Sequence, residues 1–224
     1  MSSVFNFTFV PWFRSVAPYI HMHRGKTFVV GVAGEAIAAG KLQHIAQDLA
    51  LIQSMGVKIV LVHGFRPQVN EQLRAKGHEP RYSQGMRITD EVALDCAQEA
   101  AGQLRYEIEA AFSQGLPNTP MAGSTVRVIS GNFITARPVG IVDGVDFQHS
   151  GLVRKVDTAG IMRTLDFGAM VLLSPFGFSP TGEAFNLTME ELATSVAVAL
   201  QADKLIFVTE IPGIRLDPAA PPSD

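Results

Sequence analysis

The feature that most constrains this chain is a β-branched run that ends in glycine and passes directly into helical spacing. Thr27–Val32 enters Gly34, after which Ile37, Leu42, Ile45, Leu49 and Ile52 recur at near-helical intervals until Gly56. The pattern then repeats. Residues 58–62 form a second short apolar run, followed by His63-Gly64, and Pro67 opens a helical segment that closes at Gly77. A long helical segment covers residues 89–112, residues 126–129 read as a strand, and residues 133–147 alternate with glycine punctuation as a hairpin would. Residues 157–167 read as a helix behind an acidic cap, and residues 169–173 as a buried strand. Thr188-Met-Glu-Glu191 has the form of a capping box before the apolar helix of residues 192–200, and residues 204–209 form a last strand. Strands alternating with helices predict an α/β three-layer sandwich: a mostly parallel central sheet covered on both faces, with ligand sites at the carboxyl ends of its strands. Four loops are therefore the ones to read, residues 31–35, 63–68, 176–186 and 210–217.

The chain has 224 residues, 47% of them hydrophobic and 17% charged, enough to bury a large core. Its 18 basic and 21 acidic side chains give a net charge of −3 without any basic block, so no nucleic-acid partner is expected. One cysteine, Cys96, excludes an internal disulfide and fits a reducing compartment. His21, His23, His44, His78 and His149 show no metal-ligand spacing, so no metal is expected; His63 reads as a packed residue, since no nucleophile is placed beside it. The first positive charge, Arg14, follows the first apolar stretch, against the polarity of a signal peptide, and Glu35 and Lys41 interrupt the most hydrophobic region, so no membrane span is expected. These observations point to a soluble, cytoplasmic location. Residues 218–224, with three prolines, read as an exposed tail.

A helix in residues 11–24 stands before the alternation, with Trp12, Val16, Tyr19 and Ile20 on roughly one face. Two readings stand for it: it covers that face against its own domain, or it docks on a neighbouring subunit.

In these loops the sequence resembles the amino-acid kinase family, and within it acetylglutamate kinases and the kinase-like domain of bacterial N-acetylglutamate synthases. The resemblance rests on Gly25-Lys-Thr-Phe-Val-Val30, Leu61-Val-His-Gly-Phe-Arg-Pro-Gln68, Gly85-Met-Arg-Ile-Thr-Asp90, Gly151-Leu-Val-Arg-Lys155, Asn186 before a helix, and the run from Ala202 to Ile214. Together these are specific; singly, none is. The opening Phe9-Val-Pro-Trp-Phe-Arg14, with Ala17-Pro-Tyr-Ile20, is similar to the synthases in particular.

The resemblance implies a kinase fold without its kinase chemistry. Phosphoryl transfer needs a cation on the phosphates and backbone N–H groups that approach them closely. The family's first loop carries Lys-x-Gly-Gly, but here it reads Gly31-Val-Ala-Gly34. The second carries His-Gly-Gly-Gly-Pro-Gln, but here it is His63-Gly64-Phe65-Arg66-Pro67-Gln68, with side chains expected to obstruct the phosphates. The family's aspartate after the Asn186 position is replaced by Glu190 or absent. Gly31, Gly34, Gly64, Arg66, Arg87 and Asn186 would form a vestigial kinase cleft. Arg66 reads either as a surface arginine or as a recruited partner for a carboxylate. Arg87 occupies the family's carboxylate-binding arginine position; it and Asn186 are either structural hydrogen-bonders or parts of that cleft.

The same resemblance implies a regulatory role. Relatives bind L-arginine beside the N-terminal helix, and Tyr19 and Lys204 match positions lining that pocket; core packing competes for Tyr19 and a solvated strand start for Lys204. It further implies a homo-oligomer, a hexamer in the relatives, built by the N-terminal helix. The expected organisation is an N-terminal helix (1–24), a kinase-like domain (25–217) incomplete at its C-terminus, and the tail (218–224). The acetyltransferase domain that uses acetyl-CoA and glutamate would lie elsewhere, leaving no catalytic residue and no bound cofactor here. An active acetylglutamate kinase and a ligand-free oligomerisation scaffold are the alternatives.

Overall fold

The computed structural model describes residues 9–114, 122–123 and 125–210. In chain order the elements are α1 (Phe9–His23), β1 (Thr27–Val32), α2 (Gly34–Ala38), α3 (Leu42–Ser54), β2 (Lys58–His63), α4 (Arg66–Ala75), β3 (Tyr82–Ser83), β4 (Met86–Arg87) and α5 (Glu91–Ser113). There follow β5 (Val128–Ser130), β6 (Ile134–Pro138), β7 (Ile141–Val142), β8 (Val145–Asp146), β9 (Gly151–Val156), α6 (Thr158–Asp166), β10 (Met170–Leu173), β11 (Phe176–Phe178), β12 (Ala184–Asn186), α7 (Met189–Leu200) and β13 (Lys204–Val208).

The central sheet runs β13-β1-β2-β10-β5, with every neighbouring pair parallel. Its three inner strands, β1, β2 and β10, are buried on both faces, which is why they read as continuous apolar runs, whereas the edge strands β5 and β13 are only partly covered. Alternation along each strand divides the core in two. Phe28, Val30, Val32, Ile59, Leu61, Met170 and Leu172 face α2, α3, α4 and α5. Val29, Val60, Val62, Val171 and Leu173 face α6 and α7. Side chains such as Val29, Ile59 and Leu192, all at 0% exposure, are worth about 1.5–3 kcal/mol each on transfer from water. The three-layer α/β reading thus holds.

Two elements differ from the sequence reading. The segment between Gly34 and Gly56 is two helices, because Gly40 takes φ +74° and turns the chain between α2 and α3. The hairpin expected in residues 133–147 extends further. β6 pairs antiparallel with β9, from Ile134↔Val156 to Pro138↔Gly151, and β7 and β8 form a small hairpin at its tip. Asp143 and Gly144, at φ +50° and +76°, supply that tip's turn. β6 and β9 belong to a second sheet, β12-β11-β6-β9.

Caps set the helix starts. Asp90 accepts the N–H of Ala93 before α5, and Asp157 that of Gly160 before α6. Thr188 accepts the N–H of Glu191, but the capping box stays half-made. Glu191 instead accepts the N–H of Val153 on β9 at 3.0 Å and the Ser195 hydroxyl at 3.3 Å, tying α7 to the second sheet. Its other carboxylate oxygen is buried without a partner, and burial raises its pKa against these hydrogen bonds.

No described residue of α1 is buried; Trp12 and Tyr19 are 59% and 63% exposed, while Val16 and Ile20 are half-buried. Its own domain therefore leaves most of that face open. No helix is long and apolar enough to cross a membrane among the described residues. The run beyond Glu210, with the expected tail, lies outside them.

Candidate functional site

The carboxyl ends of β1 and β2 are held together by two glycines. Gly64 donates its N–H to Val32 O at 2.7 Å, and Gln68 donates to Gly34 O at 3.1 Å. A Cβ on Gly64 would sit 2.8 Å from the Gly34 nitrogen, and one on Gly34 would sit 2.9 Å from the Pro67 ring and 3.0 Å from the Phe65 nitrogen. Only bare backbone fits between these loops.

Beside them opens a cleft of about 260 Å³, reached by Gly34, Gly64, Arg66, Arg87 and Asn186. Five of the six residues expected to form a vestigial cleft are thus brought together. Gly31 is not: it lies within β1, and its missing side chain is replaced by its neighbours, since a Cβ there would meet Met189 Sδ at 2.7 Å and the Phe207 ring at 2.8 Å. Among the described residues, the lining of the cleft contains no lysine, and it holds three carboxylates, Glu35, Glu190 and Glu210.

The second loop departs from the expectation about Phe65. Its side chain is 5% exposed and turns inward, with its ring 5.7 Å from Phe176 and 6.2 Å from His63, because an aromatic ring gains more in the core than in an open loop. Arg66 alone reaches outward, donating to Gly85 O at 3.4 Å and lying over the Tyr82 ring at 5.5 Å. A backbone carbonyl and an aromatic face hold it, rather than a carboxylate.

Arg87 lies over the same ring at 4.9 Å and donates to Asn70 Oδ1 at 2.8 Å, which also accepts the Tyr82 hydroxyl. Arg87 is 6% exposed, and burial lowers its guanidinium pKa, offset by Tyr82 and reinforced by Arg66. Its Nη1 has no protein partner, nor has the Oδ1 of Asn186, so an unused donor and an unused acceptor stand in the wall of one cleft. A buried chain positions them. Asn186 Nδ2 donates to Thr89 Oγ1 at 3.0 Å, and Ser150 Oγ lies 2.8 Å from Thr89 Oγ1 and donates to Arg87 O at 2.6 Å. Tyr82, Asn70, Thr89 and Ser150 were not singled out from the sequence. Thr89 could have been, as a member of the quoted Gly-x-Arg-x-Thr-Asp motif.

His63 is fully buried, with Nε2 2.8 Å from Ser174 Oγ, and desolvation lowers its pKa to about 4 against the hydrogen bond to Gly64 O. It is therefore a neutral packed ring, although the structure places a hydroxyl beside it, that of Ser174, which the sequence did not show.

Tyr19 and Lys204 lie apart from the cleft and line none of the described pockets. Lys204 is exposed at the start of β13, its Nζ 5.9 Å from the Phe28 ring, and His23 at the end of α1 packs edge-on against that ring at 5.4 Å. Among the described residues no His, Cys, Asp and Glu group is placed to hold a metal ion.

Comparison with known proteins gives a consistent family. Over 206 residues, 92% of the chain, it is 61% identical to an amino-acid acetyltransferase of Ralstonia nicotianae, covering 46% of that protein. It is 50% identical to one of Azotobacter vinelandii, covering 48% of it. The chain spans about half the length of the curated relatives it matches. Among solved structures, N-acetylglutamate synthase from Neisseria gonorrhoeae, complexed with coenzyme A and L-arginine, superposes with a TM-score of 0.84 at 42% identity, over 92% of this chain and 49% of that one. A carbamate kinase from Giardia, at 18% identity and a TM-score of 0.56 over 84% of this chain and 74% of that one, shares the fold. The model of the amino acid kinase family matches residues 26–222, and the chain belongs to that family.

Proposed function

We propose that this chain is the regulatory and assembly part of an N-acetylglutamate synthase, and that its kinase cleft no longer transfers phosphoryl groups. The observation that carries the second half is at Gly31: the family's lysine is absent, and Met189 and Phe207 occupy the space its side chain would need. A nucleotide in the cleft would meet the carboxylates of Glu35 and Glu190 with no lysine in the lining; Lys41 is engaged with Glu210 at 2.9 Å, and the cleft's two cations, Arg66 and Arg87, are held against Tyr82. The relatives support the first half, being amino-acid acetyltransferases about twice as long as this chain.

On this reading the whole protein transfers acetyl from acetyl-CoA to the amino group of glutamate, the first step of arginine biosynthesis, and this part responds to L-arginine in the cytoplasm. Tyr19 would contact the aliphatic part of arginine and Lys204 its carboxylate. The remaining elements of that pocket would come after Gly213. The exposed face of α1 favours assembly into a homo-oligomer, and equally suits a scaffold that binds no ligand.

Calorimetry with L-arginine, on this chain and on the chain continued as in its relatives, separates the two. Heat that is lost in Tyr19→Ala and Lys204→Ala supports the sensor; no heat from either form leaves only the scaffold.

A further inference from the structure

The β3–β4 hairpin supplies Tyr82 and Arg87 to the wall of the cleft, yet it has little to hold itself. It is a sheet of its own, with Tyr82 paired to Arg87 and Ser83 to Met86, and a two-stranded ribbon that short is not stable alone in water. Its base is closed, by the Ile88 N–H on Arg81 O at 2.9 Å and by the Arg81–Asp90 ion pair at 2.7 Å. Its tip turns through Gln84 and Gly85, at φ +51° and +76°. Among the described residues, no backbone group of residues 82–87 bonds to backbone outside the hairpin.

Side chains dock it instead. Arg66 donates to Gly85 O at 3.4 Å and lies over the Tyr82 ring at 5.5 Å, while Asn70 Oδ1 accepts from the Tyr82 hydroxyl and from Arg87, each at 2.8 Å. Gln84 Nε2 donates to Asp143 Oδ2 at 2.6 Å, joining this tip to that of the β7–β8 hairpin. Two features single out Arg66. It stands where the family's loop carries glycine, which could reach neither Gly85 nor Tyr82. It is also the first residue of α4, where the helix dipole disfavours a cation, so helix formation does not account for it.

We propose that Arg66 is a clasp that pins the β3–β4 hairpin down over the cleft, with the Gln84–Asp143 bond as a second catch at the tip. Ser150 Oγ holds the Arg87 carbonyl at 2.6 Å, so release frees residues 82–86 and uncovers the Arg87 guanidinium, whose Nη1 has no protein partner. The hairpin thereby sets access to the cleft. The clasp acts in the same way whether or not the cleft transfers phosphoryl groups.

Amide hydrogen exchange of the whole chain, followed by NMR, tests the clasp, since an undocked hairpin frays. Arg66→Ala should speed exchange at Ile88 and at the hairpin amides about tenfold, from the loss of a cation–π contact and a long hydrogen bond together. Gln84→Ala should speed it about threefold. Arg74→Ala, at the far end of the same helix, should change nothing, and the amides of Val60 and Leu172 in the central sheet should keep their wild-type rates throughout. Hairpin exchange unaffected by Arg66→Ala, a greater effect of Gln84→Ala than of Arg66→Ala, or a rise shared equally by the central sheet would each overturn the assignment.

Discussion

Gly31→Ala is the most informative single change, because it asks whether the kinase lysine was merely lost or was built over. The added carbon would lie 2.7 Å from Met189 Sδ and 2.8 Å from Phe207 Cδ1, both inside the separation that real Cβ atoms keep. Met189 is 5% exposed and hemmed in, whereas Phe207 is 41% exposed at the sheet edge and can swing outward. Relief through Phe207 places the cost toward the lower part of the overpacking range, about 1–2 kcal/mol. For a chain of this size that is about 2–4 °C in Tm per kcal/mol, readable by urea or thermal denaturation. In a Met189→Ala background the thioether is gone, so the same substitution should cost about 1 kcal/mol less, a coupling that a double-mutant cycle isolates. Gly31→Lys should be at least as destabilising and should restore no nucleotide turnover. A neutral Gly31→Ala, or a cost unchanged by Met189→Ala, would refute the claim that these side chains fill the lysine's place.

Gly64→Ala should be worse than Gly31→Ala, about 2–3 kcal/mol, because its Cβ meets the Gly34 backbone nitrogen at 2.8 Å, and a denaturation midpoint matching wild type would contradict this. His63 binds a proton at about pH 4 when folded but near 6.5 when unfolded, so the unfolded state holds more protons between those values. Stability should therefore fall by about 3 kcal/mol as the pH drops through that window, and His63→Gln should flatten the slope of urea midpoint against pH. Burial raises the Glu191 pKa, so its ionised form is the disfavoured one in the fold, and stability drains as the pH rises from its unfolded value. Glu191→Gln, which keeps an acceptor for Val153, should match or exceed wild-type thermal stability at neutral pH; a clear loss would show the charge to be favourable there. Deleting residues 1–24 should reduce the mass measured by light scattering without changing the far-ultraviolet spectrum of the α/β core.

The layers were legible because parallel strands buried on both faces announce themselves as apolar runs, as β1, β2 and β10 do. α2 and α3 merged in the sequence reading because apolar spacing carries across Gly40, and only its backbone angle shows the break. Pairing was harder: nothing local says that residues 134–138 partner residues 151–156 across an intervening hairpin. Gly34, Gly64, Arg66 and Asn186 fall in the few loops at strand ends, but the resemblance to the amino-acid kinase family singled them out, and Arg87, outside those loops, rested on it alone. Phe65 was misjudged, since a residue's position in a loop does not fix where its side chain turns, and a ring with Phe176 within reach turns inward. Ser150 stayed invisible because a buried hydroxyl chain has no periodicity, and Thr89 could be seen only as a member of its motif.

Nucleotide turnover tests the central claim most directly. Incubated with ATP, magnesium and acetylglutamate in a coupled assay, the chain and its continued form should release no ADP above the protein-free rate. Turnover near the 1–100 s⁻¹ typical of kinases, about 1 s⁻¹ or more, would contradict the account, since it would require a working phosphate site where Gly31, Met189 and Phe207 leave no room for a lysine.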